Sequence, residues 1–330
     1  MTLPDRADAA AAPAGPQELA LRVGRVRREA SDVVALELVR ADGGPLPGFT
    51  PGAHLTFKLG AGLERQYSLC NEPDGTRYVV AVKLEALSRG GSAAMHALRE
   101  GDVVQAREPV NHFPVDWSAD HLVLVAGGIG ITPLMAMAKA ARSRGKSFEL
   151  HYFARSGGHA ALLDDVASLR QQAFLHLGVE PDHVADELRA VVGHRPPGAQ
   201  LYMCGAPAFM NVVRAVAAAA WPDDAIHCEY FRPDETRAQS PAGAFDIVVS
   251  STGARFTVAA DCSMLQTLEA NGIVPDSSCR EGVCGMCVVP VLQGVPDHRD
   301  EFLGEDARRG GELVALCVSR AKSPVLVLGI

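Results

Sequence analysis

Cys279, Cys284 and Cys287 stand four and two residues apart in Cys279-Arg-Glu-Gly-Val-Cys284-Gly-Met-Cys287, and Cys317 follows after 29 more residues. Four thiolates spaced C-x4-C-x2-C…C, three from one tight loop and one from a returning segment, suit a [2Fe–2S] cluster. Gly282 and Gly285 fall inside the loop, where a backbone curled around sulfide takes unusual dihedrals and aims N–H groups at sulfur. Structural zinc is the other use of such cysteines. Zinc modules, however, pair one C-x2-C with a second or with H-x3-5-H, and the chain has no such second pair. Eight cysteines also permit disulfides. With no export signal and four of them in the last 52 positions, metal ligation in a reducing cytoplasm is the better reading.

Two further regions carry residue types with chemistry. Arg65-Gln66-Tyr67-Ser68 combines a guanidinium, an aromatic face and a hydroxyl, with Val82-Lys83 on the next strand. Ser88-Arg89-Gly90-Gly91-Ser92 then opens a short helix, MHALREG, and backbone N–H groups at such a start attract an anion. Gly127-Gly128-Ile129-Gly130-Ile131-Thr132-Pro133 joins the strand LVLVA to a helix and lets backbone approach a pyrophosphate. Tyr202-Met203-Cys204-Gly205-Ala206-Pro207 makes a second strand-to-helix turn, and Glu229-Tyr230-Phe231 closes the region. Each motif alone has a plainer reading: a surface arginine on a strand, an ordinary connection, a structural cysteine, a packing phenylalanine.

The elements that must hold these residues change texture twice. Over 19–116, six short segments alternate in polarity between Gly, Pro and Asp turns, as in an antiparallel β-barrel or sandwich, of which the barrel is the expected form. Over 117–231, solid apolar strands (HLVLVAG, FELHYFA, QLYMCGA) alternate with helices (TPLMAMAKAARSRG, ALLDDVASLRQQ, AFMNVVRAVAAAAW), predicting an α/β parallel-sheet domain. A Pro- and charge-rich linker occupies 232–244. A small α+β domain fills 245–330, with strands FDIVVSS and ARFTVAA and a helix SMLQTLEANG between Ser263 and Gly272. Residues 1–18 read as a flexible tail rather than a signal peptide.

Composition narrows the class. Hydrophobic residues at 48% and charged residues at 21% describe a globular chain, and a net charge of −8 disfavours nucleic acid and anionic membrane as partners. The stretch 122–138 is uncharged but interrupted by Gly and Pro, and is too short to span a bilayer. A cytoplasmic protein is expected, with no nucleic-acid or membrane partner.

Pro275-Asp276-Ser277-Ser278-Cys279 through Cys287, preceded by two strands and a helix, resembles a plant-type ferredoxin domain, a β-grasp fold. That resemblance implies Cys279, Cys284, Cys287 and Cys317 as ligands of the cluster. Arg65-Gln66-Tyr67-Ser68 resembles the RxYS motif of the ferredoxin-NADP⁺ reductase superfamily, which implies Tyr67 against a flavin ring, Ser68 near its N5 edge and Arg65 on phosphate. The flavin site would extend to Val82, Lys83, Gly90, Gly91 and Ser92. Its SRGGS turn is similar to that of phthalate dioxygenase reductases, whose flavin is FMN rather than FAD. By the same resemblance Gly127, Gly128, Gly130, Thr132 and Pro133 meet the pyrophosphate of NADH, Cys204 and Gly205 meet its nicotinamide, and Phe231 covers the flavin until nicotinamide displaces it. The implied catalytic residues are thus Ser68, Cys204 and Phe231. Arg155-Ser156 could grip a 2′-phosphate, but the same pair occurs in NADH-dependent reductases of this group.

NADH gives two electrons at once, a [2Fe–2S] cluster accepts one, and a flavin converts between them. The domain order resembles the phthalate dioxygenase and vanillate O-demethylase reductases over 19–330, which implies delivery to a separate Rieske-type oxygenase. A cytochrome P450 or other monooxygenase is the alternative acceptor, and a ferredoxin fused to a degenerate reductase the noncatalytic alternative. Residues 245–330 hold eleven acids against seven bases, a net −4, so a basic patch on the partner is expected. Arg280 and Glu281, close to the iron, are its expected contacts.

Overall fold

The computed structural model describes residues 17–60, 62–86, 90–233 and 243–330. Most of the expected tail, Ser88 and Arg89 of the phosphate turn, and most of the linker lie outside these residues.

The first domain is a six-stranded antiparallel barrel. Its strands are β1 (Glu18–Ala30), β2 (Val33–Arg40), β3 (Ala53–Lys58), β4 (Glu64–Ser68), β5 (Tyr78–Lys83) and β6 (Val103–Asn111), in the order β4-β3-β6-β1-β2-β5. A bridge between Leu69 and Val80 joins the two end strands and closes the barrel. Alternation drives it: Leu19, Leu21 and Val23 point into a core with Leu36, Leu38, Phe57 and Val80 while their neighbours on β1 face out. Helix α1 spans Gly91–Ala97, four residues earlier than the MHALREG segment suggests, because Gly90 turns the chain at φ 96° and starts the helix directly.

The second domain is a parallel sheet of β7 (His121–Gly127), β8 (Ser147–Ala154), β9 (Ala173–Leu177), β10 (Ala199–Gly205) and β11 (Ile226–Tyr230), in the order β11-β10-β7-β8-β9. The sequence reading found β7, β8 and β10, which are apolar throughout because both faces are covered. It did not identify the short edge strands as sheet members. Helices α2 (Ile131–Ser143), α3 (Leu163–Ser168), α4 (Val184–Val192) and α5 (Pro207–Ala217) cover the faces. Helix α3 is far shorter than 161–172, since Leu162 and Arg170 both sit at φ 56° and the Ala161 N–H donates to the Tyr152 hydroxyl instead (2.9 Å). Helix α2 is buried almost all round. Its Leu134, Met137 and Ala138 share one core with Val33, Ala35, Val79 and Ala81 of the barrel, so the first two domains are fixed to each other.

The third domain has the β-grasp arrangement. Strands β12 (Phe245–Val249), β13 (Arg255–Val258), β14 (Val288–Gln293), β16 (Leu313–Ala315) and β18 (Val325–Leu328) form a mixed sheet, β13-β12-β18-β14-β16, and β15 (Pro296–Asp297) pairs with β17 (Arg320–Ala321). Helix α6 (Met264–Ala270) opens with a capping box between Ser263 and Gln266 and buries Met264, Leu265 and Leu268 on the sheet. A last helix, α7, spans Glu305–Gly310.

Candidate functional site

The cysteine loop lies between α6 and β14, with Cys317 arriving from the segment after β16. Its thiols form two hydrogen-bonded pairs, Cys279 with Cys284 and Cys287 with Cys317. Among the described residues no three His, Cys, Asp or Glu side chains close on one point as a single metal ion requires. Two pairs are what two irons need, with two thiolates for each, so the donor set fits a [2Fe–2S] cluster better than one tetrahedral zinc. In each pair the hydrogen bond pushes the accepting thiol down and its donor up. The N–H of Glu281 donates to the Cys279 sulfur at 3.4 Å, and the backbone at Gly282, Val283 and Cys284 adds to the pull toward thiolate. The loop is made for this curl: a Cβ on Gly285, at φ 74°, would stand 2.4 Å from the Phe302 ring. Arg280 is not turned to solvent alone, as its guanidinium forks onto Glu269 of α6 at 2.7 and 3.2 Å. Glu281 faces inward, onto the barrel.

Strand β4 brings Arg65, Tyr67 and Ser68 to a cleft of about 610 Å³ completed by Val82 and Lys83 of β5, Gly91 and Ser92 of α1, Thr132 of α2, and Phe231. A Cβ on Gly91 would lie 2.6 Å from Arg65 Cγ, so the arginine stem lies directly across the start of α1. Gly90 makes the turn before it and does not line the cleft. The half-buried Tyr67 ring, tilted on Phe57 at 5.8 Å, has its hydroxyl pushed to about 12 by burial and remains a neutral aromatic face. These residues fit a flavin: an aromatic wall, a hydroxyl at its inner edge and a fixed guanidinium at the far end.

A second cleft, of about 500 Å³, opens at the C-terminal ends of β7, β8 and β10, where such sheets bind nucleotides. Gly127, Gly128 and Gly205 line it with Arg155, His159 and Phe209, and Lys83 and Phe231 belong to both clefts. Gly130, Pro133 and Cys204 lie behind the wall. Gly130 lets α2 approach the Cys204 carbonyl, where a Cβ would be 2.1 Å away. The Cys204 thiol is fully buried and pushed well above its usual range by desolvation, so it is a neutral thiol rather than a nucleophile.

Sequence reasoning did not assign a role to Glu229. The Ser68 hydroxyl donates to its carboxyl at 3.3 Å, and burial raises that carboxyl to about 8. Glu229 is half-buried and lines a partly open pocket of about 150 Å³ shared with Ser68, Cys279 and Cys284. Its only sequence signal is a carboxylate on a domain-closing strand, HCEYF. Phe231 touches this cavity and both clefts.

Residues 247–322 match the 2Fe-2S iron-sulfur cluster binding domain family. Over the chain, the vanillate O-demethylase oxidoreductase of a Pseudomonas species is 39% identical across 313 residues, 93% of this chain and 98% of that one. The solved structure of phthalate dioxygenase reductase, described as modular for electron transfer from pyridine nucleotides to [2Fe-2S], is 36% identical with a TM-score of 0.70, covering 95% of this chain and 98% of that one. An intact type IV self-sufficient cytochrome P450 monooxygenase superposes with a TM-score of 0.83 at 36% identity, covering 95% of this chain and 41% of that one. With three domains in the same arrangement and the two clefts beside a paired-thiol loop, the chain belongs to the phthalate dioxygenase reductase and vanillate O-demethylase reductase family of NADH-, FMN- and [2Fe–2S]-dependent oxidoreductases.

Proposed function

We propose that this chain passes electrons from NADH through FMN to a [2Fe–2S] cluster on Cys279, Cys284, Cys287 and Cys317, and from there to a separate Rieske-type oxygenase in the cytoplasm. The observation that carries the reading is Phe231, at the meeting point of the nucleotide cleft, the flavin cleft and the cavity behind the cluster loop. No helix among the described residues is long and apolar enough to cross a membrane.

Bound flavin would supply the conversion of a two-electron hydride into single electrons. The protein positions and excludes. Arg65 across Gly91 holds the phosphate end, and Tyr67 holds a ring face. Ser68 and Glu229 hold a proton at the inner edge. Phe231 keeps water off the opposite face until nicotinamide replaces it. Gly127, Gly128 and Gly205 admit pyrophosphate against backbone, and Cys204 supports from beneath the strand end that meets nicotinamide. Lys83 is held between Asp32 (3.9 Å) and Glu85 (3.8 Å).

A second reading, delivery to a cytochrome P450, is supported by the self-sufficient monooxygenase that contains a related reductase. The deciding experiment adds NADH to the purified protein under argon and follows the visible spectrum, identifies the released flavin by chromatography, and then pairs the reductase with a Rieske oxygenase and with a P450. Bleaching, FMN and turnover with the Rieske partner are expected. An unbleached spectrum would overturn the electron chain, and turnover only with the P450 would move the acceptor.

A further inference from the structure

Among the described residues, Asp300 is the one acidic side chain with no exposed surface at all. It closes the segment Asp297-His298-Arg299-Asp300 between β15 and α7 and lines neither the flavin cleft nor the nucleotide cleft. Burying a carboxylate is costly unless donors meet it. Here they do: the Leu303 N–H donates to Oδ2 at 2.7 Å and the Ser319 hydroxyl to Oδ1 at 3.2 Å. The Arg308 guanidinium stands 3.9 Å from Oδ2 and donates to the Asp300 carbonyl, and His298 Nδ1 lies 3.8 Å from Oδ1. Two donors and a guanidinium suit an ionised carboxylate, which only accepts.

These contacts lead to the cysteines from two sides. A Cβ on Gly282, at φ 78°, would stand 3.1 Å from Asp300 Cα and 3.3 Å from its Cβ. The Glu301 N–H donates to the Gly282 carbonyl at 2.9 Å, so the carboxylate is seated against the stretch that joins Cys279 to Cys284. Ser319 stands two residues beyond Cys317, and its hydroxyl also accepts from the Arg299 N–H at 3.2 Å. One buried negative charge is thus held between the two segments that supply the thiols.

A [2Fe–2S] cluster on four thiolates gains a further negative charge when it takes an electron, and the charge and burial around it set its potential. A fixed negative charge in a water-poor interior opposes that step more strongly than one in solvent. We propose that Asp300 sets the reduction potential of the cluster: its carboxylate holds the potential down, and Arg308 offsets part of that effect. One electron arrives from reduced flavin, and no bond forms or breaks. The charge weakens the cluster as an acceptor from flavin and strengthens it as a donor to the oxygenase. This role rests on the cluster reading above and deepens it.

The test is a potentiometric titration of the holoprotein, followed by the EPR signal of the reduced cluster. Asp300→Asn keeps the shape and an oxygen for the Ser319 and Leu303 donors. It should favour cluster reduction about tenfold, a rise of about 59 mV for one electron. Arg308→Gln should lower the potential, by less because Arg308 is partly exposed and screened. Arg308→Lys, which keeps the charge, should stay at the wild-type value. A clasp that only holds the loop would not shift the potential with the sign of the charge removed. If Asp300→Asn loses iron, the two Arg308 variants decide the matter. Potentials that stay at the wild-type value in Asp300→Asn and Arg308→Gln, or that move in the same direction in both, would overturn the tuning alone. A reduced wild-type protein without the EPR signal of a [2Fe–2S] cluster would overturn the cluster reading and the tuning with it.

Discussion

Gln66 donates from Nε2 to the Ser278 hydroxyl across 3.3 Å, joining the strand that carries Arg65, Tyr67 and Ser68 to the residue just before Cys279. The two positions are 212 apart in the chain. One side-chain bond thus ties the strand of the proposed flavin wall to the residue before the first of the proposed cluster cysteines. A neutral hydrogen bond of this sort contributes about 1 kcal/mol. Gln66→Leu should therefore leave NADH bleaching of the flavin intact while slowing cluster reduction by up to about fivefold. Rapid-mixing absorbance at flavin and cluster wavelengths separates the two steps.

Cys317 comes from beyond β16 while its partner Cys287 closes the loop, so in the proposed cluster its loss would open one iron only. Cys317→Ser should lower cluster iron and visible absorbance from about two irons per chain, while NADH still reduces the flavin. Iron assay and anaerobic titration check both halves. Stoichiometric zinc in the wild type, or loss of flavin reduction with the cluster, would contradict the assignment.

Gly91 has an ordinary backbone and is glycine for space alone: a Cβ there meets Arg65 Cγ at 2.6 Å and Nε at 2.9 Å. Gly91→Val should swing the guanidinium off the start of α1 without unfolding the barrel. Flavin affinity, read by fluorescence titration of the apoprotein, should drop about tenfold or more, as for the loss of one charge-assisted bond of 1.5–3 kcal/mol. Arg65→Lys should lose a comparable amount because an ammonium cannot fork.

Legibility followed range. The central strands β7, β8 and β10 announce themselves as apolar runs, and the cysteine spacing states its chemistry locally. The edge strand β9, AFLHL, leaves Phe174, Leu175 and Leu177 exposed and has no clear period, so neighbours rather than pattern make it a strand. Helix α3 shows the converse: ALLDDVASLRQQ has the composition of a helix, yet tertiary contacts of Ala161 and Leu162 take its first turn. In the site, Arg65, Tyr67 and Ser68 are legible as one motif. Glu229 is not, because its meaning comes from Ser68, 161 positions away. Cys204 is conspicuous in sequence, but the fold faces its thiol into the core and offers the backbone of Gly205 to the cleft.

Glu229 also makes stability depend on pH in a direction opposite to an ordinary carboxylate. Burial raises its folded pKa to about 8 from the usual 4.5, outweighing the Ser68 hydrogen bond that lowers it. Between those values the folded protein keeps a proton that the unfolded chain has released. The stability due to this group is whole below about 4.5, falls as pH rises, and is lost above about 8. Glu229→Gln keeps the shape and an oxygen for Ser68 but cannot ionise, so it should gain on the wild type steadily over that window and no further outside it. Denaturant midpoints of the two proteins at pH 5, 6.5 and 8.5 measure this. A difference that stays constant across the three would mean that Glu229 ionises as an exposed carboxylate does, and that the cavity beside it is open to bulk water.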